Sequence, residues 1–448
     1  MKASFYPDIF IPYANYESID DPQVHRAPVQ TILIMLLSKE TTVKVTDVQS
    51  NIISHLGYAA YKLWNVCKYE RDHWHNLGLS EYPDWYYQKR VHKNDFWFKS
   101  LPSQTAQEVC KLLDKSYKSY HALLKSGGIE HPNAPSYKHD PMPVTYMQNG
   151  IVQNGEIIRL TLPKHLKAHM AERFDIHAKY LFLKNKIFRD MDHIKQIKLY
   201  MPKRNVCRVI LVYEIPDSPI LPDNNRYLSV DLGIHNLMTA YDSTTGKCMI
   251  LGRKYSSIIH WYDKAIAHRQ KISDSQQAAK GARYPKMSKV VQDLYRRKRN
   301  TVHDLIHKCT RYIADYCYVN GINTVVIGNI AGIRKDNDLG HVINQKFHQL
   351  PYKMIYMMLQ YKLALCGIKF VLQNEAYSSQ TSPADPEVSK QYAHKANRRH
   401  RGLYIDNGKI YNADAVGAYN ILRLYLKAQN SQTALSYSRL GCPVKAAV

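Results

Sequence analysis

The chain has 448 residues, with 62 Lys and Arg against 37 Asp and Glu, for a formal charge of +25. That length suits about two to four domains with cores of their own. The charge excludes an ordinary metabolic enzyme and points to a polyanionic partner, either nucleic acid or an anionic membrane.

Residues 1–28 carry prolines and polar residues without periodicity and read as an arm. Residues 29–37, VQTILIMLL, form a strand. Asp47 is placed to cap a helix through NIISHLGYAAYKLWNVCKYERDHW, and Ser103 to cap TAQEVCKLLDKSYKSYHALLK. In the second helix Leu112, Leu113, Tyr117, Tyr120, Leu123 and Leu124 recur at three- and four-residue steps. Residues 49–128 are thus a helical unit inserted after one strand. From 129 to 225 the runs GEIIRLTL, KQIKLYM and CRVILVYEI are strand-like, with PKHLKAHMAERF a short helix among them. They suggest a small β-barrel that the first strand joins.

RYLSVDLGIHNLMTAYDSTTGKCMILG reads as two or three antiparallel strands with a TTG turn. A basic helical stretch, 254–312, holds 14 Lys and Arg against 4 Asp. INTVVIGNI is a buried strand, PYKMIYMMLQYKLALCG a helix, IKFVLQN a further strand and DAVGAYNILRLYL a last helix. Strands alternating with helices predict an α/β domain with parallel neighbours. No run approaches the roughly 20 apolar residues that span a bilayer. MKASFYPDIF lacks the features of a signal peptide, so a cytoplasmic protein is expected. The 8 cysteines are scattered without any C-x-x-C pair and read as reduced core thiols. Most of the 35 tyrosines belong to core or half-buried positions, and in a basic chain some stack on bases.

Three acidic residues stand at element ends. Asp231 lies inside the hydrophobic LSVDLGIHNL, where an unpaired charge is costly. Glu375 sits where IKFVLQN stops, and Asp414 where the last helix begins. Singly, Asp414 has a sufficient reason as an N-cap and Glu375 as a solvated loop carboxylate. Together, carboxylates from strand ends about 4.8 Å apart and from a following helix can converge. Three of them make the hard-oxygen environment that Mg²⁺ prefers, and two such ions assist a phosphodiester displacement.

DLGIHNLMTAY, VVIGNIAGIRK, NQKFHQLPYKMIYMMLQYKLALCGIKFV, EAYSSQTS and NADAVGAYNILR resemble, in order, the blocks of a RuvC-type nuclease domain. They are most similar to those of TnpB and the compact type V CRISPR effectors. The resemblance is strong over 226–425 and weaker at LPSQTAQEV and the first strand. It implies a multidomain α+β chain. A wedge β-barrel (29–48 and 129–225) carries the inserted helical recognition lobe. A RuvC, RNase H-like α/β nuclease domain (226–425) and a C-terminal tail (426–448) follow.

The resemblance carries the family's Asp of D-x-G-x-x-N onto Asp231 and its last Asp onto Asp414. The usual glutamate would follow the VVI strand, where this chain has Gly328 and Asn329. A branch of the family places it instead in E-x-Y-[ST]-S, which is Glu375 here. The implied catalytic and metal-binding set is Asp231, Glu375 and Asp414, with two Mg²⁺ ions, Mn²⁺ able to substitute, and no zinc. The family's zinc knuckle would begin at Ser382 and Asp385, and 376–410 has no cysteine. His394 and His400 alone make a poor zinc site, so a metal-free loop is expected.

Its cations Lys390, Lys395, Arg398, Arg399 and Arg401 would clamp phosphate, or form a solvated face. Arg296, Arg297, Lys298 and Arg299, on a helix facing the nuclease core, would follow a heteroduplex backbone or be equally ordinary. The aromatic clusters Trp85–Tyr87 and Phe96–Phe98 read first as core. Gln345 and His348 fall near the cleft without an assigned role.

The expectation is an RNA-guided DNA endonuclease that reads a short motif beside its target. Its partners would be guide RNA and double-stranded DNA, with no membrane. It would be monomeric, prokaryotic and cytoplasmic, at the nucleoid when bound to DNA. The alternatives are an RNA-guided repressor with an inactive centre and a guide-independent transposon nuclease.

Overall fold

The computed structural model describes residues 34–127, 130–191, 193–216, 218–330, 349–398 and 402–446. The expected 1–28 arm and the positions Gln345, His348 and His400 lie outside the described residues. The chain divides into two compact units, the first ending at Pro216. The expected boundary at 225 moves back for a physical reason. Ser218 Oγ donates to the Leu365 carbonyl (2.9 Å) and the Leu221 N–H to the Gly367 carbonyl (2.8 Å), which ties 218–221 to the second unit.

The first unit opens with β1 (Ile34–Lys44), α1 (Asp47–Asp72), the short helices α2 (Trp85–Val91) and α3 (Phe96–Lys99), and α4 (Ser103–Ser126). It continues with β2 (Val144–Met147), β3 (Ile151–Asn154), β4 (Ile157–Thr161), α5 (Lys164–Phe174), β5 (Tyr180–Lys184), β6 (Ile194–Leu199) and β7 (Val206–Pro216). The first strand does join the later ones: β1 pairs antiparallel with β7 over its whole length, Ile34 opposite Pro216 and Lys44 opposite Val206. Among the described residues, however, the strands are not hydrogen-bonded into one closed barrel. They form a four-stranded sheet in the order β1-β7-β6-β2 and a separate three-stranded sheet β3-β4-β5.

Two helix caps differ from expectation. Thr46, not Asp47, caps α1, because its side chain accepts from Gln49 N–H while the Gln49 side chain accepts from Thr46 N–H. Asp47 is left as the first helical residue, where its charge suits the helix dipole. Ser103 is likewise inside α4, after Pro102, and makes no cap bond.

Ile52, Leu56, Ala60, Leu63 and Cys67 of α1 bury one stripe, and α1 packs on α4. Between them lies a buried polar network. Arg71 pairs with Asp114 (3.0 Å), and Gln88 bridges Arg71 and Glu70 (3.1 and 2.9 Å). His92 sits between Glu70 (3.1 Å) and Asp95 (2.5 Å). Of the aromatic triplets, only Phe98 is core, whereas Tyr86 and Phe96 are more than half exposed.

The second unit contains β8 (Tyr227–Asp231), β9 (Met238–Asp242), β10 (Cys248–Leu251), α6 (Tyr255–Ala279), α7 (Lys289–Val319), β11 (Thr324–Gly328) and α8 (Tyr352–Ala364). Next come β12 (Lys369–Gln373), the hairpin β13 (Leu403–Asp406) and β14 (Lys409–Asn412), α9 (Ala413–Ala428) and β15 (Val444–Lys445). One sheet runs β12-β11-β8-β9-β10-β15. β8, β11 and β12 are parallel neighbours, and β9 and β10 are antiparallel, as the alternation of elements predicts. β11 is buried at all five positions, the mark of a central parallel strand.

The 426–448 segment is no free tail. Leu440 is fully buried, Tyr241 OH donates to the Ser436 carbonyl (2.8 Å), and β15 extends the sheet beside β10. The basic 254–312 stretch is two helices, broken at a turn through Gly281 (φ 80°).

Candidate active site

The parallel order β12-β11-β8 puts three strand C-termini side by side, where the chain must leave the sheet and side chains can gather. Asp231 ends β8, and Gly328 ends β11 opposite Gln373 of β12. Two residues past β12, Glu375 begins a tight turn. Its carbonyl accepts from Ser378 N–H (3.0 Å), and Tyr377 takes the left-handed conformation (φ 65°), a strained state for a tyrosine.

Glu375 lies two strand spacings from Asp231, roughly 9–10 Å across the sheet. Gly328, on the strand between, closes that gap by having no side chain. A Cβ there would collide with Glu375 Oε2, so the glutamate's carboxylate lies over the end of β11. It is not a solvated loop group: Oε2 is buried without a hydrogen-bond partner among the described residues. Burial pushes the Glu375 carboxyl up to about 7.

α9 crosses the same strand ends. Ser229 Oγ donates to the Ala418 carbonyl (2.6 Å), which anchors the helix on β8. Gly417 lets the helix approach: a Cβ there would stand 2.8 Å from Asp231 Oδ2. A glycine inside a helix is ordinarily destabilising by about 1 kcal/mol relative to alanine, and this contact explains it. Asp414 does not fill the N-cap role that its position taken singly would explain. Asn412 caps α9 by accepting from the N–H groups of Asp414 and Ala415 (3.1 and 3.0 Å). That leaves the Asp414 carboxylate free to accept from Asn236 Nδ2 (2.7 Å), the Asn of D-x-G-x-x-N.

The carboxylates feel one another. Burial, then the charges of Glu375 and Asp414, hold Asp231 well above the usual carboxylate range, against the opposing pull of Arg398 and the Leu232 N–H. Tyr356 sits beside them. Its hydroxyl donates to the Gly328 carbonyl (2.7 Å) and accepts from Ile330 N–H (3.1 Å), fixing the backbone at the end of β11. Burial chiefly, with Glu375 and Asp231 adding, pushes the Tyr356 hydroxyl up to about 12. Among the described residues no three His, Cys, Asp or Glu side chains form a ready cation cage. The donor set still fits a hard divalent cation: it is all oxygen, and Glu375 Oε2 is buried and orphaned.

The expected phosphate-binding residues divide. Arg398 is exposed but within electrostatic reach of Asp231. Lys390 is exposed on a short turn. Arg399, Arg401 and the Lys395 side chain lie outside the described residues. Arg296, Arg297 and Arg299 on α7 do not face a core but are exposed. Arg296 and Arg297 pair with Asp293, and Lys298 pairs with Asp263 (2.6 Å).

The described part of 376–410 is held by a set of side-chain hydrogen bonds. Ser382 N–H donates to Asp385 Oδ2 (2.9 Å) and Ser382 Oγ to Asp406 Oδ2 (2.5 Å). Arg423 of α9 donates to the Ser382 carbonyl (3.2 Å) and to that of Asp385. Asn420 Nδ2 donates to the carbonyls of Ser378 and Thr381 (2.7 and 2.8 Å). Sequence reasoning passed over Asn236, Tyr356, Gly417, Asn420 and Arg423. Only Asn236, inside a quoted motif, and Gly417, a helix-interior glycine, carried a signal.

A family profile described as OrfB_IS605, probable transposase, matches residues 210–334, and the Cas12f1-like TNB domain profile matches 352–421. No curated protein matches the chain. The cryo-EM structure of a Cas12f1–sgRNA–target DNA complex is similar at a TM-score of 0.54 and 14% identity, covering 84% of this chain and 83% of that one. A CRISPR–Cas12f ternary complex is similar at 0.36 and 15%, covering 86% and 82%. C2c1 of Alicyclobacillus acidoterrestris with single-guide RNA is similar at 0.37 and 8%, covering 84% and 68%. At such identities the first of these speaks for the fold, a mixed α/β multidomain architecture like that of the compact effectors. The two profiles follow one another in chain order, so residues 210–334 are similar to the OrfB_IS605 transposases and residues 352–421 to the Cas12f1-like TNB domain, and between them they take in Asp231, Glu375 and Asp414.

Proposed function

We propose that this chain is an RNA-guided DNA endonuclease whose centre is Asp231, Glu375 and Asp414. The observation that carries the proposal is the placement of Glu375, whose Oε2, buried and orphaned among the described residues, lies over the side-chain-free end of β11 and whose charge reaches Asp231. Carboxylates crowded until they raise one another's affinity for protons are destabilising by themselves and are retained where a cation neutralises them. The family is typically an RNA-guided nuclease, and its solved members include complexes of guide RNA and target DNA.

On this reading the second unit is the RuvC nuclease domain, and the first combines the wedge and the helical recognition lobe. Asp231, Glu375 and Asp414 would hold divalent cations, Mg²⁺ or Mn²⁺. When bound, these would stabilise the attacking and leaving oxygens of phosphodiester hydrolysis. Asn236 orients Asp414, Asn412 spares it from capping, and Tyr356 fixes the strand end over which Glu375 lies. Arg398, an exposed cation whose charge reaches Asp231, would receive the scissile strand's phosphate. Guide pairing supplies sequence specificity, and the exposed cations hold backbone.

The absence of a ready cage among the described residues favours a second reading, an RNA-guided repressor that binds without cutting. The test is to purify the protein, sequence the RNA that stays bound in moderate salt, and supply duplex DNA matching its variable end with Mg²⁺. A discrete structured RNA with cutting supports the endonuclease. The same RNA with binding and no cutting supports the repressor. Random RNA fragments with cutting support a guide-independent transposon nuclease.

A further inference from the structure

α6 and α7 form an antiparallel arm. Its register is set by Tyr262 OH with Thr301 Oγ1 (3.1 Å), Lys298 Nζ with Asp263 Oδ1 (2.6 Å), and Gln277 with the Lys286 backbone. In α6 no residue beyond Ile266 is buried, and in α7 none between Val291 and Leu305. Residues 267–279 add roughly 20 Å of helix beyond Ile266, at about 1.5 Å per residue, and on the facing helix Val291 alone is buried near the tip.

The tip is a shaped turn. Gln277 grips Lys286 on both sides, its amide donating to the Lys286 carbonyl (2.7 Å) and accepting from the Lys286 N–H (2.8 Å). This turn presents Tyr284, which is 78% exposed, with the Arg283 guanidinium 5.5 Å from the ring centroid. Met287 and Val290 beside it are also exposed. Lys280, Arg283, Lys286 and Lys289 fall within 275–292, a stretch with no Asp or Glu. The RRKR run on α7 differs, since three of its cations already pair with Asp293 and Asp263.

Cations alone would suit any polyanion. An exposed aromatic ring carried on a hydrogen-bonded turn among cations suits a strand whose base faces are also uncovered. Bases stack on such rings while neighbouring phosphates meet the cations, and an intact duplex hides its base faces. We propose that the tip of the α6–α7 arm is a stacking site for an unpaired or strand-terminal nucleobase. Tyr284 takes the base, and Lys280, Arg283, Lys286 and Lys289 take the flanking phosphates. The site goes beyond the nuclease reading and does not depend on cleavage.

The test uses the full chain in EDTA, where no cutting occurs, and short single strands carrying 5-iodouracil, one set DNA and one RNA. Irradiation should cross-link Tyr284, as mapped by mass spectrometry. The sugar type that cross-links better identifies the natural strand. Tyr284→Ala should lose the cross-link and weaken strand binding by about 5- to 150-fold, the scale of one stacked base. Tyr284→Phe should keep both, and binding of a dumbbell duplex closed by base-free glycol linkers should be the same in all three proteins. Cross-links that bypass Tyr284, or a Tyr284→Ala variant that binds strands as wild type or loses dumbbell binding equally, would overturn the proposal. Circular dichroism confirms that the exposed substitution leaves the fold intact.

Discussion

The Glu375 carboxylate fills the space that a side chain at Gly328 would need. A Cβ on Gly328 would collide with Glu375 Oε2 and stand 2.9 Å from Ile421 Cδ1. Gly328 ends β11 opposite Gln373 of the parallel β12, and Glu375, two residues past β12, turns its carboxylate back into the volume beside Gly328.

Gly328→Ala should therefore behave like a mutation of the centre itself, though alanine carries no chemistry. Displacing Glu375 should lower guided cleavage by about 100-fold or more, the scale of losing one preorganised charge-stabilising group. Glu375→Gln should match it, with RNA and target binding retained in both. The exchange Gly328→Glu with Glu375→Gly should recover part of the rate. Undiminished cleavage by Gly328→Ala would show that Glu375 need not lie where the structure puts it.

Like charges without a cation destabilise the fold. In chelator, Asp231→Asn should raise Tm, by about 2–4 °C per kcal/mol of relief in a unit of this size. Mg²⁺ should raise the wild-type Tm by mass action and leave the variant nearly unmoved. Calorimetry with and without Mg²⁺ checks both. A lower Tm for Asp231→Asn in chelator would mean that the carboxylate's Leu232 N–H bond outweighs the repulsion.

His92 gives the helical lobe a pH signature. Burial opposes its charge, but the hydrogen bonds and charges of Glu70 and Asp95 win and raise it from 6.5 to about 9. A group raised on folding stabilises fully below its unfolded value and loses that contribution as pH passes its folded one. Stability of the first unit should thus decline between about pH 6.5 and 9, seen as a falling urea midpoint. In His92→Gln that slope should flatten; an equal slope in the variant refutes the assignment.

The turn at Ser382 and Asp385 is held by Arg423, Asn420 and Asp406. Arg423→Ala should destabilise it by about 1.5–3 kcal/mol, the range for hydrogen bonds from a charged donor. Faster hydrogen exchange confined to 380–412 is the expected readout. Elemental analysis should find no stoichiometric zinc, and zinc chelators should leave the exchange pattern unchanged. About one zinc per chain would overturn this account.

Element types and the parallel core were legible because buried strands and amphipathic helices write their period into the sequence. INTVVIGNI, for example, is a continuous apolar run, and β11 is buried throughout. Caps were misread where two candidates adjoin. Thr46 wins over Asp47 through a reciprocal bond with Gln49, and Asn412 accepts from the first turn ahead of it, whereas Asp414 lies two residues inside the cap position. The split of the strands into two sheets, and the return of Leu440 and β15 to the core, rest on long-range pairing that local pattern does not encode. Adjacency of the strands ending at Gly328 and Gln373 could be anticipated, but not that a missing Cβ makes the room for Glu375.

Shared occupancy at Gly328 and Glu375 also constrains how such a centre can change over generations. On the proposed reading, a lineage moving its acidic group from one strand to the other has to swing the Glu375 carboxylate aside before a second side chain fits at 328, and it lacks a ligand with neither. A paired substitution at the two positions is the shorter path, so each arrangement should persist as a distinct clade with few intermediates.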